Sequence, residues 1–148
     1  MRKILSVVLA LTMLAICTVP CFAETQSMTI STKGEVAYEL SYPADTEIPW
    51  LTRSMGIGEV TAVLLNIEPS KVVKVSVTSA YGYKLANDTD ASKTIAYTLS
   101  GADDIRFLPG EFGKSYALSV SVSDSQWQRA ASGKHSDLLT FTAEYVNA

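Results

Sequence analysis

The chain has 148 residues, 47% of them hydrophobic and 18% charged, with twelve Lys and Arg against fifteen Asp and Glu for a net charge of -3. That composition excludes an intrinsically disordered chain, a collagen-like repeat and a strongly basic nucleic-acid binder. The length holds one domain rather than two.

In chain order, Arg2 and Lys3 precede an aliphatic run from Ile4 to Val19, which Pro20 ends. Cys21-Phe22-Ala23 places small residues on either side of Phe22, the pattern a signal peptidase reads for a cut between Ala23 and Glu24. Residues 1–23 are therefore expected to be a cleaved helical signal peptide and residues 24–148 the exported domain. The competing reading is a permanent membrane anchor, because the run approaches the roughly 17–25 residues that span a bilayer; the proline and the small-residue site favour cleavage. Lipid attachment at Cys17 or Cys21 fits poorly, since Ile16 and Pro20 stand where a small residue is wanted. Cleavage leaves 125 residues with ten basic and fifteen acidic side chains and no cysteine, so the exported domain depends on packing alone. The expected location is secreted or extracellular, associated with a cell surface, with membrane contact only through the signal peptide.

The exported part reads as strand after strand, because side chains two apart share a face of a strand. Met28-Thr29-Ile30 is a candidate edge. Val36, Tyr38, Leu40 and Tyr42 alternate with Glu35, Ala37, Glu39 and Ser41 up to Pro43. Val60 to Ile67 is apolar on both parities, which predicts a mid-sheet strand covered on both faces. Val73, Val75 and Val77 alternate with Lys74, Ser76 and Thr78, and Tyr81, Tyr83 and Leu85 continue as a further face expected in the core. Asn87-Asp88-Thr89-Asp90 is a turn. Ile95, Tyr97 and Leu99 make another alternating set, and Ile105, Phe107 and Leu108 precede the Pro109-Gly110 turn. Tyr116, Leu118, Val120 and Val122 face one way and serines and Ala117 the other; Leu139, Phe141, Ala143 and Tyr145 repeat the pattern at the end. Only Asp124 to Ser132 offers a helical turn. About seven to nine short, mainly antiparallel strands predict an all-β, immunoglobulin-like two-sheet sandwich.

Chemistry is sparse. His135 is the only histidine and lies in a polar loop, there is no Gly-x-Ser-x-Gly elbow, and no catalytic residue is assigned. No metal site can form from nitrogen and sulfur ligands, and no cofactor is expected. Calcium is the one cation the residues admit: Asn87, Asp88 and Asp90 cluster as hard oxygen donors, although such residues favour turns for their own hydrogen-bonding reasons. The acids show no pairing that defines a glycosidase. Trp50, after Pro49, and Trp127, in Ser125-Gln126-Trp127-Gln128-Arg129, are the candidate ligand-binding residues. An exposed indole stacks on sugar rings or anchors an interface, whereas a buried one lids the core; both readings are open.

The tail from Ser132 to Val146, with Asp137-Leu138-Leu139-Thr140-Phe141-Thr142, resembles the closing hairpin of exported bacterial β-sandwich proteins. It is similar to the last strand of spore-coat-U-like and fimbrial-subunit domains over about fifteen residues. The resemblance implies a surface-associated, non-catalytic module that serves as a subunit of a larger assembly. The chain departs from the fimbrial pattern in lacking a cysteine after cleavage and in its short N-terminal extension. The leading expectation is thus a non-enzymatic structural or adhesive surface protein, with other surface proteins, extracellular glycans or further copies of itself as partners and no nucleic acid. The alternative is a carbohydrate-binding module using Trp50 and Trp127, and an extracellular enzyme is the third.

Overall fold

The computed structural model of the protein describes residues 28–148. The expected signal peptide and its cleavage between Ala23 and Glu24 lie outside the described residues. Met28-Thr29-Ile30 forms no strand, and Met28 and Ile30 are exposed. Two apolar side chains bury too little area to hold an extra strand in place.

The unit from Gly34 to Ala148 carries every strand described. In chain order these are β1 (Ala37–Ser41), β2 (Ser54–Asn66), β3 (Lys71–Ser79), β4 (Lys84–Asn87), β5 (Thr94–Ala96), β6 (Thr98–Ser100), β7 (Ile105–Phe107), β8 (Ser115–Ser121), β9 (His135–Ser136) and β10 (Leu139–Asn147). One short helix, α1 (Asp124–Arg129), follows β8. All the pairings are antiparallel, in three sheets of order β1-β2-β8-β6, β10-β3-β7 and β5-β4-β9.

The first two sheets make the sandwich. Val60, Ala62 and Leu118 from one meet Val73, Val75, Ile105 and Phe107 from the other in a fully buried cluster. Alternation produces this directly in β8 and in β3 from Val73 onward, where the apolar parity turns inward and the mainly polar parity outward; Val72, on the other parity of β3, is buried as well. Along one side, the stacked rings of Tyr38 and Tyr145 (6.4 Å) and the tilted pair Tyr42 and Phe141 (5.4 Å) join the chain around β1 to β10. The all-β sandwich is as the strand rhythm predicts; the third sheet is an addition to it. The alternating run Ile95, Tyr97, Leu99 is divided at Tyr97, so that β5 pairs in the third sheet and β6 in the first. A second, smaller core of Ile95, Val122 and Trp127 packs this third sheet against α1.

Strand β2 lies in mid-sheet, but its second face is not covered: Val63 and Leu64 are 44% and 45% exposed. Its apolar residues fall on both parities because two β-bulges shift the phase. Gly56 pairs with Ser119 and Gly58 with Leu118, leaving Ile57 extra; Leu64 pairs with Glu39 and Ala62 with Leu40, leaving Val63 extra. Core contact passes from Ile57 to Val60 and Ala62, then to Leu65 and Ile67. Each unpaired residue re-aims those beyond it by one position.

Tyr81 and Tyr83 likewise are not core strand residues. They sit in a turn before β4, 52% and 37% exposed, with Tyr83 at a φ of 61°. The Ser79 hydroxyl oxygen accepts the backbone N–H of Tyr81 (3.2 Å) and of Tyr83 (2.6 Å), and so curls the chain around it where a strand would run straight on.

Gly101 closes β6 against β8 at a φ of 89°, and a Cβ there would lie 2.2 Å from the Ala117 carbonyl oxygen. Gly101→Ala is expected to destabilise the domain by about 2–3 kcal/mol, measured by urea unfolding, since the backbone of β8 has to give way and the dihedral is strained as well.

Candidate functional site

A cleft of about 830 Å³ lies over the smaller core. One wall is the long connection between β1 and β2, with Asp45, Thr46, Glu47, Ile48 and Trp50. The opposite wall is the segment from Gly133 to Leu138, and the floor is Leu85, Ile95 and Trp127.

The two tryptophans singled out in the sequence meet here, with ring centroids 4.9 Å apart and planes tilted by 57°. Their roles differ. Trp127 is 5% exposed and its Nε1 donates to the Thr52 carbonyl at 2.9 Å, so it is the core lid. Trp50 is 53% exposed and stands on that lid. Helix α1 places Trp127: Gln126 Oε1 accepts the Ala96 N–H (3.2 Å), and Arg53 donates to both carboxylate oxygens of Asp124 at 2.7 Å each. The ion pair is exposed and adds little stability, but its two parallel bonds fix the end of the β1–β2 connection to the helix.

Trp50 is presented by a tight turn. Thr52 N–H donates to Pro49 O at 3.0 Å, and Leu51, the residue after Trp50, adopts a φ of 68°. Position i+2 of such a turn normally takes glycine, so Leu51 stores strain next to the exposed indole. Ile48 packs into the smaller core from the same connection.

His135 lines the cleft from β9, opposite Asn87 in β4. Asn87 is buried, and its Oδ1 accepts the N–H of Thr89 (2.9 Å) and of Asp90 (3.0 Å), which orients its Nδ2 toward Ser132 O (3.1 Å) and His135 Nε2 (3.4 Å). A donor amide at Nε2 and the Gly133 carbonyl at Nδ1 (3.1 Å) select the Nδ1–H tautomer, so neither ring nitrogen is directed at a hydroxyl. The three residues weighed for calcium are brought into one turn whose oxygens serve the chain. Asp90 Oδ1 accepts from Ser92 N and Oγ, which holds its carboxyl below the usual value, and Asp88 Oδ1 accepts from Ser136 Oγ at 2.8 Å. Among the described residues no group of three or more His, Cys, Asp and Glu side chains could hold a metal ion.

Sequence reasoning missed Asp137. Its Oδ2 accepts from Tyr97 OH (2.7 Å) and Ser79 Oγ (2.6 Å), and its Oδ1 from the N–H of Leu138 (2.8 Å) and Tyr81 (3.2 Å). Three segments of chain, residues 79–81, Tyr97 and 137–138, are tied at one carboxylate in the cleft wall. Burial, followed by the Asp137 carboxylate, pushes the Tyr97 phenol well above its ordinary value. No sequence signal marks this cluster, because its members stand 40 and 58 residues apart.

The fold and cleft define an all-β sandwich with an aromatic-floored groove at one end. No family model matches the chain, and a search of curated proteins finds no match. Among the described residues no helix is long and apolar enough to cross a membrane.

Proposed function

We propose that the domain is a non-catalytic exported binding module that takes carbohydrate in the cleft beside Trp50, and that this contact is its adhesive role at a cell surface. The observation that carries the reading is Trp50 itself, a half-exposed indole packed at a tilt on a buried one in a cleft of about 830 Å³. An indole braced in this way offers a flat apolar face to the C–H face of a sugar ring with little ordering cost, while Asp45, Thr46 and Glu47 supply polar partners around it. The resemblance of residues 132–146 to surface β-sandwich domains supports the same setting.

Titrating the full chain with a glycan panel tests this. The two tryptophans are its only indoles, so a bound sugar is expected to shift their fluorescence. Trp50→Ala is expected to weaken binding by on the order of 2 kcal/mol, roughly 30-fold, from the apolar area lost. A fluorescence signal unchanged across the panel refutes the reading.

A second reading, a subunit of a surface assembly, is favoured by β10. This nine-residue strand lies at the edge of its sheet, and an edge strand is a template for pairing with another chain. Light scattering on the eluted chain decides it: a strict monomer counts against assembly.

A further inference from the structure

The cleft's charges are lopsided in a way its aromatic floor does not require. The titratable groups lining it are Asp45 and Glu47 on one wall and Lys134, His135 and Asp137 on the other; the floor contributes none. Two of the five are already committed: Asp137 accepts four hydrogen bonds from the chain, and both His135 nitrogens are occupied. Lys134, with its side chain 82% exposed, reaches Asp88 only at 4.0 Å. Asp45 and Glu47 have no hydrogen-bonded or ion-paired side-chain partner among the described residues, and they line the cleft in the same connection that carries Trp50. An exposed indole that shares a cleft with two unpaired carboxylates suits a cation that also has an apolar face, because the ring quadrupole and the carboxylates attract the same charge.

Resting on the carbohydrate reading, we infer that the cleft selects glycans carrying free amino groups, with the ammonium held between Trp50 and the carboxylates of Asp45 and Glu47. A glucosamine ring meets both demands at once. Its C–H face stacks on the indole and its ammonium, close to the ring, reaches the acids. A neutral sugar uses only the first, and an acidic sugar is repelled.

The experiment titrates the full chain with a glucosamine oligomer and its N-acetylated counterpart of equal length, at a pH where the amines are protonated. The amino form is expected to bind about tenfold more tightly, with the difference shrinking as salt is added. Asp45→Asn with Glu47→Gln is expected to erase that difference, the two oligomers then binding with similar affinity. Equal or tighter binding of the acetylated oligomer overturns the amino inference and leaves the carbohydrate reading standing; no binding of either oligomer also overturns the amino inference, and the glycan panel decides the carbohydrate reading. Oligolysine serves as a charge-only control. If it binds the wild type as tightly as the amino oligomer does, and Trp50→Ala binds it equally well, charge alone is being read and the inference fails.

Discussion

Trp127→Ala is expected to destabilise the domain by about 3–5 kcal/mol, the range for truncating a large buried aromatic. The indole is 5% exposed in the smaller core with Ile95 and Val122, and its Nε1 proton satisfies the Thr52 carbonyl at 2.9 Å, so truncation opens a cavity and orphans an acceptor together. It also removes the surface on which Trp50 stands. Chemical denaturation of the variant therefore shows a lower midpoint, and any ligand response is lost in the fraction that remains folded. Trp50→Ala separates the two effects. Half-exposed and outside every strand, that side chain is expected to cost the fold less than about 1 kcal/mol. Comparable destabilisation by both substitutions would show that the upper indole is a core residue as well.

Asp137→Ala is expected to cost on the order of 3 kcal/mol, because it withdraws one acceptor from two hydroxyls and two backbone N–H groups in a partly buried site. Asp137→Asn keeps the Oδ1 acceptor and the shape, and is expected to cost less. The pH dependence follows from Tyr97. Its phenol is raised in the folded state by burial and by the carboxylate, so the neutral form is the one the fold favours. That stability is fully present below the unfolded phenol value of about 10 and is lost as pH rises through the higher folded value. Ultraviolet titration of the wild type is expected to show one tyrosine ionising only as the domain unfolds in alkali. In Asp137→Ala that tyrosine is expected to titrate earlier, with burial alone still raising it.

Strands β3, β8 and β10 were legible in the sequence because alternation leaves one face apolar over most of each run, from Val73 to Val77, Tyr116 to Val120 and Leu139 to Tyr145. Strand β2 was legible as a strand but not in its faces, since a bulge is encoded in pairing geometry, and the same letters Val60 to Ile67 are written by a two-faced strand and by a re-phased one. The third sheet was hidden because Tyr97 interrupts no alternation; what divides the run there includes a bond to Asp137, 40 residues away. Of the cleft, the sequence disclosed the identities Trp50 and Trp127 but not their meeting or their unequal burial, which depend on how the connection after β1 folds over α1. Asn87 was legible as a turn former, and its further role in orienting His135 was not.

Leu51 has a consequence for how the rim behaves. A leucine at a φ of 68° sits roughly 1–2 kcal/mol above its relaxed backbone state. Local preference therefore pulls the indole's support toward a different conformation, opposed by Ile48 below, the tilted ring beneath, the Trp127 bond to the Thr52 carbonyl and the Arg53–Asp124 pair. The rim is a spring held down from underneath. A sugar clasped against Trp50 adds weight to the held state, so amide exchange in this connection should slow when the groove is filled while exchange in the sandwich stays as it was.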